Sequence, residues 1–238
     1  MLRDEAGATD QSYAATGQHA ALEMFVAAQS RLEPVPLVPE IRLHVAADAI
    51  GLWEATERER GEPGQPPPFW AFAWPGGQAL ARYILDRPDL VNGRTVIDLG
   101  SGSGLAAIAA ALAGASAVLA SEVDPLAAAA IALNAAANNA EVTVTADVLD
   151  GDGQDADVVL AGDIWYEKSL ADRALGLLKR ACARGAKVLV GDIGRTFLPR
   201  GLLRELAAYN VPVVADLENA AVKRVMILTL SNPGTAAS

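Results

Sequence analysis

Short, near-continuous apolar runs alternate with helical-period segments along the second half of the chain. Runs at Thr95–Asp98, Ala117–Ser121, Val142–Thr145, Val158–Ala161 and Lys187–Gly191 have the length and composition of strands covered on both faces. Between them, Leu105–Leu112, Leu126–Asn138 and Ser169–Ala183 predict helices, and Pro199–Ala208 predicts one more. The end of the chain breaks the alternation. Val211–Leu217 and Val222–Leu230 predict two strands separated by a short polar turn, too close for a helical crossover. The expected fold is α/β: a Rossmann-like sheet of seven strands, five of them parallel, with a C-terminal hairpin that makes the last strand antiparallel.

Ahead of the sheet the pattern is weaker. Residues 1–15 are small and polar and predict a frayed end. Leu22, Phe25, Val26 and Leu32 recur at helical spacing, so His19–Leu32 predicts a helix, which Pro34, Pro36 and Pro39 break. Ile41, Leu43 and Val45 alternate with Arg42 and His44, a short strand with one wet face on which His44 reads as an exposed residue and not a ligand. Ala46–Glu59 predicts a second helix, and Arg60–Pro68 a Gly/Pro loop that is the clearest boundary in the chain. Residues 1–65 thus read as an extension, a candidate element of substrate recognition, and 66–238 as the main domain. After the boundary, Phe69, Trp70, Phe72 and Trp74 put four aromatics in six residues beside a Pro-Gly-Gly turn, in a chain that is 5% aromatic. Two readings stand, a cap on the core where the extension meets the sheet and a wall of a binding pocket. Ala79–Leu85 predicts the helix that follows.

Composition narrows the class. With 238 residues, 52% of them hydrophobic, the chain has material for a sizeable core in one large domain. No apolar run reaches the ~18–20 residues of a spanning helix, and the polar, partly acidic N-terminus does not read as a signal or transit peptide. A single cysteine, Cys182, excludes an internal disulfide and suits a reducing, cytoplasmic setting. The net charge of −10 argues against a nucleic-acid partner and favours a cationic one, such as a lysine on a basic protein surface. No His/Cys cluster suggests a metal site.

The chemistry concentrates at the ends of the predicted strands, where parallel sheets bind ligands. Val96-Ile97-Asp98-Leu99-Gly100-Ser101-Gly102-Ser103-Gly104 is a strand running into a carboxylate and a three-glycine loop, and Glu122 ends the next strand. This is a nucleoside-binding βαβ unit whose second acid accepts ribose hydroxyls. The third glycine falls one position early for a dinucleotide fingerprint, and Asp98 would repel a pyrophosphate. S-adenosylmethionine, with a sulfonium and an α-ammonium for Asp98 and a ribose diol for Glu122, fits charge and spacing better than a nicotinamide dinucleotide does. Asp147 follows the third strand, where a carboxylate accepts from the adenine amine; the other reading is a solvated acid beside Asp150 and Asp152. Gly162-Asp163-Ile164-Trp165-Tyr166 follows the fourth strand, which places Asp163 and Tyr166 where acceptor meets methyl group. The competing reading makes Asp163 the cap of the helix that begins near Ser169. Asp192 and Arg195, after the fifth strand, either pair with each other or contact the partner.

The segments PFWAFAWPGGQALARYILDRP, VIDLGSGSGLAAIAAALAGA, SEVDP, LAGDIWYE and VGDIGR together resemble the electron transfer flavoprotein β-subunit lysine methyltransferases, of the seven-β-strand class I methyltransferases with a D-x-x-Y motif. The resemblance spans about residues 66–200. It implies S-adenosylmethionine as cofactor and an exposed lysine of a protein, suspected to be electron transfer flavoprotein β, as acceptor, with no nucleic acid, membrane or metal partner. It makes Asp163 and Tyr166 the catalytic pair, Asp163 orienting the amine while water takes its proton. It matches Gly100, Gly102 and Glu122 to cofactor positions and Trp74 to an aromatic that lines the nucleoside; with Asp98, Ser101, Asp147 and Gly162 these make up the expected cofactor set. The ribosomal protein L11 methyltransferases share a similar glycine loop but carry Asn-Ile where Asp163-Ile164 stands here. A nicotinamide-dependent oxidoreductase and a non-catalytic binding module are the remaining alternatives.

Overall fold

Alternate residues of each central strand enter opposite cores. Val96, Leu160 and Leu189 pack in one buried cluster, with Leu80, Ala107 and Ile131. Their neighbours Ile97, Val159 and Val190 pack in another, with Ala174, Leu177 and Ala181. Both faces of the sheet are therefore apolar, as the continuous runs require. A computed structural model describes residues 19–46, 48–60, 67–150, 155–213 and 221–230.

The strands of the main sheet are β3 (Thr95–Leu99), β4 (Ala117–Ser121), β5 (Thr143–Thr145), β6 (Val158–Gly162), β7 (Lys187–Asp192), β8 (Leu203–Pro212) and β9 (Val222–Leu230). Their spatial order is β5-β4-β3-β6-β7-β9-β8. The pairs from β5 to β7 are parallel, whereas β9 runs antiparallel to both β7 and β8. The helices are α1 (residues 19–29), α2 (Ala49–Arg60), α3 (Pro75–Leu85), α4 (Leu105–Leu112), α5 (Pro125–Ala137) and α6 (Lys168–Ala183). The order reverses between β3 and β6, so a crevice opens outside their carboxyl ends. Among the described residues no helix is long and apolar enough to cross a membrane.

A separate hairpin, β1 (Arg31–Val35) and β2 (Val38–Val45), lies on the helical layer. Val35, Val38, Ile41 and Leu43 are buried against Ala81, Leu105, Ile108 and Ala135 of α3, α4 and α5. Its free edge is not left open. Asn138 of α5 accepts the Arg42 N–H through Oδ1 at 2.9 Å and donates to the Arg42 carbonyl at 2.6 Å. One turn earlier, the fully buried Asn134 accepts the His44 N–H at 2.7 Å and donates to the Ser103 carbonyl at 2.8 Å. Helix α5 thus ties the hairpin to the glycine loop. His44 itself is half-buried, with Nδ1 2.9 Å from the Ser30 hydroxyl.

Three sequence expectations are corrected. The first helix stops at residue 29, and Leu32 belongs to β1. Pro34, which has no N–H to give, is tolerated there because the carbonyl of Arg42, opposite it, takes its hydrogen bond from Asn138 Nδ2 instead. The helix expected at Pro199–Ala208 is instead a single turn, Arg200–Leu202, followed by strand β8. The Arg-Glu-Leu-Ala-Ala run has helical propensity, but β9 offers a full-length partner, from Leu203 opposite Leu230 to Pro212 opposite Val222. Ladder pairing overrides local preference. The strand expected to run from Val211 to Leu217 therefore ends at Pro212. The frayed start at residues 1–15, most of the Arg60–Pro68 loop and the turn before β9 lie outside the described residues.

Candidate active site

The crevice at the ends of β3, β4 and β6 holds a cavity of about 350 Å³. Trp74, Asp98, Gly100, Ser101, Gly102, Glu122, Asp147, Gly162, Asp163 and Tyr166 all line it, so ten residues singled out along 93 positions of chain meet around one space.

The floor is the glycine loop between β3 and α4. Gly102 has φ of +55°, a conformation that a side chain would strain. The loop is latched to the end of β4. Glu122 Oε2 accepts the Gly102 N–H at 2.9 Å, and Oε1 accepts the N–H groups of Val123 and Asp124 at 2.8 and 3.0 Å. The Ser101 N–H adds a bond to the Ser121 carbonyl at 3.2 Å. Beneath the loop, Asp98 is 2% exposed and accepts the Ser101 hydroxyl at 2.6 Å and the Ala107 N–H at 3.2 Å. Burial pushes its carboxyl up to about 7, against those two bonds and with help from the Glu122 charge. A buried carboxyl poised between charge states can become an anion when a cation arrives.

Asp147 sits at the far end. Its Oδ1 accepts the Leu149 N–H at 2.9 Å, and its Oδ2 pairs with Arg173 of α6 at 2.5 Å. Arg173 also grips Asp150 at 2.8 Å. Asp147 is an exposed loop acid beside Asp150, as the second reading had it, with Arg173 bridging the two carboxylates. No periodicity marked Arg173, which comes from another element.

The opposite wall is aromatic. The Phe69 ring lies 5.9 Å from Trp74 and 5.5 Å from Tyr166, and Phe72 meets Trp74 edge-on at 5.8 Å. The Trp74 Nε1–H donates to the Phe69 carbonyl at 2.7 Å. Both readings of the aromatic run hold, for different rings. Trp70 and Phe72 are buried with Val26, Leu52 and Leu126, while Phe69 and Trp74, together with Trp70, line the cavity. Tyr166 is 49% exposed, its hydroxyl pushed upward in pKa by burial first and then by Glu122 and Glu167.

Asp163 joins the two walls. It has φ of +56°, a left-handed conformation unusual outside glycine and found where a site stores strain. It is 8% exposed. Its Oδ2 accepts the N–H groups of Gly76 and Gly77 at 2.5 and 3.2 Å, and its Oδ1 accepts Arg195 Nη2 at 3.2 Å. Burial raises its carboxyl to about 7; Arg195 opposes the rise and Asp192 adds to it. The cap reading is thus half right and misplaced. Glu167 caps α6, accepting Ser169 and Leu170 N–H groups at 2.8 and 3.1 Å, while Asp163 caps α3. Glycines make that approach possible. A Cβ on Gly76 would collide with the Gly191 carbonyl oxygen, and one on Gly162 would come within 3.2 Å of the Gly77 nitrogen. Asp192 is fully buried and accepts the Gly194 and Arg195 N–H groups at 2.6 Å each, and the Arg195 guanidinium reaches Asp163.

Comparison with known proteins adds a family. The ribosomal protein L11 methyltransferase (PrmA) family model matches residues 79–179. The electron transfer flavoprotein beta subunit lysine methyltransferase of Rattus norvegicus is 42% identical over 191 residues, covering 77% of this chain and 73% of the relative. That of Danio rerio is 41% identical over 191 residues, covering 77% and 72%. A ribosomal protein L11 methyltransferase of Bacillus pumilus is 33% identical over 147 residues, covering 60% and 44%. Among solved structures, Thermoplasma acidophilum 1320 superposes with a TM-score of 0.52 at 18% identity, covering 66% of this chain and 90% of that one. Magnesium protoporphyrin IX methyltransferase from Synechocystis, with bound S-adenosylhomocysteine, superposes at 0.50 with 14% identity, covering 77% and 100%. These two share the fold.

Proposed function

We propose that this chain, which belongs to the electron transfer flavoprotein β-subunit lysine methyltransferase family, transfers methyl groups from S-adenosylmethionine to lysine side chains of a protein, the β subunit of electron transfer flavoprotein. One observation carries the reading. A nucleoside-type floor and an acid-and-aromatic wall face each other across a cavity of about 350 Å³, within the range that encloses small-molecule ligands.

The residues present fit the cofactor by the chemistry of their donors. Gly100, Ser101, Gly102 and the Glu122 latch would hold its nucleoside, with Asp147, already fixed by Arg173, at the adenine end. Asp98, buried and near neutrality, would become an anion beneath its cationic centre. Trp74 would line its nucleoside, and Gly162 would border the cavity where the methyl group is transferred. When bound, the cofactor supplies a methyl group on a sulfonium leaving group. Everything else falls to the protein. Asp163 orients the lysine amine, Tyr166 and Phe69 line its path, and water receives the proton that the amine must lose. Orientation of this kind is worth ~7–11 kcal/mol of barrier. Within this reading, residues 1–65 form an extension that contributes to substrate choice, and 66–238 form the transferase.

The test incubates the protein with S-adenosylmethionine and purified electron transfer flavoprotein β, followed by intact-mass and fragment spectrometry. Increments of CH₂ on lysine are the expected result. Increments on glutamine, arginine or the N-terminal amine alone would overturn the lysine assignment. The match of residues 79–179 to the L11 methyltransferase model supports a second reading. Ribosomal protein L11 therefore belongs in a parallel reaction, and methylation there alone would replace the proposed partner.

A further inference from the structure

We propose that Arg195 is a positioning residue for methyl transfer: its guanidinium joins the Asp163 carboxylate to the face of Trp74 and so holds the acceptor wall in one arrangement. The inference rests on the reading of Asp163 as an acceptor-side residue.

Three independent contacts converge on Arg195. Its Nη2 lies 3.2 Å from Asp163 Oδ1. Its Cζ lies 5.8 Å from the centre of the Trp74 ring, within cation–π reach. Its backbone is pinned, because the fully buried Asp192 accepts both the Gly194 and Arg195 N–H groups at 2.6 Å, and Arg200 donates to the Gly194 carbonyl at 2.6 Å. The chain after β7 is thus held from both sides so that one side chain lies along the cavity wall. Stability alone does not call for this. A buried ion pair is often no better for folding than an apolar pair of similar size. A planar, permanently charged fork is the side chain suited to grip a carboxylate while stacking on an indole.

The clamp also bears on charge. Facing Asp163 are the Gly76 and Gly77 N–H groups of α3, Arg195, and Asp192 from β7. Burial and Asp192 favour the protonated acid, whereas Arg195 and the helix N-terminus favour the anion. Without the guanidinium, Asp163 holds its proton to higher pH and cannot orient an ammonium by charge.

The test is a carbon-13 NMR titration of the aspartate side chains in the full-length protein, with Asp163 assigned by loss of its signal in Asp163→Asn. In Arg195→Gln the Asp163 midpoint should rise by about one pH unit or more, and Arg195→Lys should restore most of the difference. The acid limb of kcat for methyl transfer should move with it, and Arg195→Lys should move it back. A folded Arg195→Gln protein with an unmoved midpoint would overturn the proposal. So would an unmoved midpoint with lost cofactor affinity, which would make Arg195 a cofactor ligand. Should Arg195→Gln not fold, Arg195→Lys decides. A midpoint like wild type with kcat/KM reduced severalfold supports the planar clamp, and full activity rejects it. The titration needs no acceptor, so it stands apart from any failure to find methylated lysine.

Discussion

The carboxylate of Asp163 caps a helix that begins 88 residues before it, at Pro75: Oδ2 accepts the Gly76 N–H at 2.5 Å. Helix α3 has Pro75 in its first turn and no side-chain cap from Trp74, so its free N–H groups must find an acceptor elsewhere. They find it at the end of β6. One residue therefore closes a helix, anchors Arg195 and lines the cavity.

That double duty separates two substitutions. Asp163→Ala leaves buried N–H groups without an acceptor, at a cost of ~1–3 kcal/mol, and should lower the melting temperature by several degrees. Asp163→Asn keeps an acceptor for the helix but turns an NH₂ toward Arg195. It should retain most of the stability and the cofactor affinity while losing most methyl transfer. Thermal unfolding, calorimetry and a transfer assay on both proteins check this. An Asp163→Asn protein with wild-type turnover contradicts it.

Glu122 holds Gly102 at 2.9 Å and the chain after β4 at 2.8 Å. Glu122→Ala removes both the latch and the proposed acceptor for the ribose, so S-adenosylmethionine should bind ~1–3 kcal/mol more weakly. NADH should bind neither protein. Calorimetric titrations of both ligands settle the matter, and NADH binding without S-adenosylmethionine binding would reverse the reading.

What could be read from the sequence divides by range. The strands β3, β4, β6 and β7 were legible because buried parallel strands are near-continuous apolar runs, here ended by Gly, Asp or Ser-Glu. Residues that end such strands inherit a place in the crevice, so Asp98, Glu122 and Asp163 were found. Their partners were not legible. Arg173 reaches Asp147 from α6, and Asp163 reaches back to Gly76, pairings that no local period encodes. Strand β8 was misread for a related reason. Its helix-forming run is overruled by the distant β9, and β1 was hidden by a proline that only the pairing of Arg42 with Asn138 makes acceptable.

Asn134 was among the residues missed. It bonds to the His44 N–H at 2.7 Å and the Ser103 carbonyl at 2.8 Å, linking the N-terminal hairpin to the glycine loop. Asn134→Leu removes both bonds at a fully buried position. The expected loss is ~1–3 kcal/mol per stranded group, together with a measurable drop in cofactor affinity, because the loop loses a support. Denaturant unfolding and a binding titration read the two effects. Reduced stability with unchanged affinity would show that the hairpin and the loop act independently.

Asp98 makes the pH dependence testable. Its carboxyl is raised from 3.8 to about 7 by burial. Between those values the folded protein holds a proton that the unfolded chain has released. Stability contributed by that proton is present below about pH 4 and declines as pH rises toward 7. Other carboxylates, such as Asp157, held low by Thr95, slope the opposite way at lower pH. The difference between wild type and Asp98→Asn isolates the one group. Wild-type stability relative to the variant should fall steadily from about pH 4 to pH 7 and then level off. Binding a cation should favour the anionic form, so S-adenosylmethionine should displace a proton near pH 6.5 and bind more tightly as pH approaches 8. Asp98→Asn should abolish that proton release. Melting curves across pH, and calorimetry in buffers of different ionisation enthalpy, measure both quantities. Equal proton release from the two proteins would place the titrating group elsewhere.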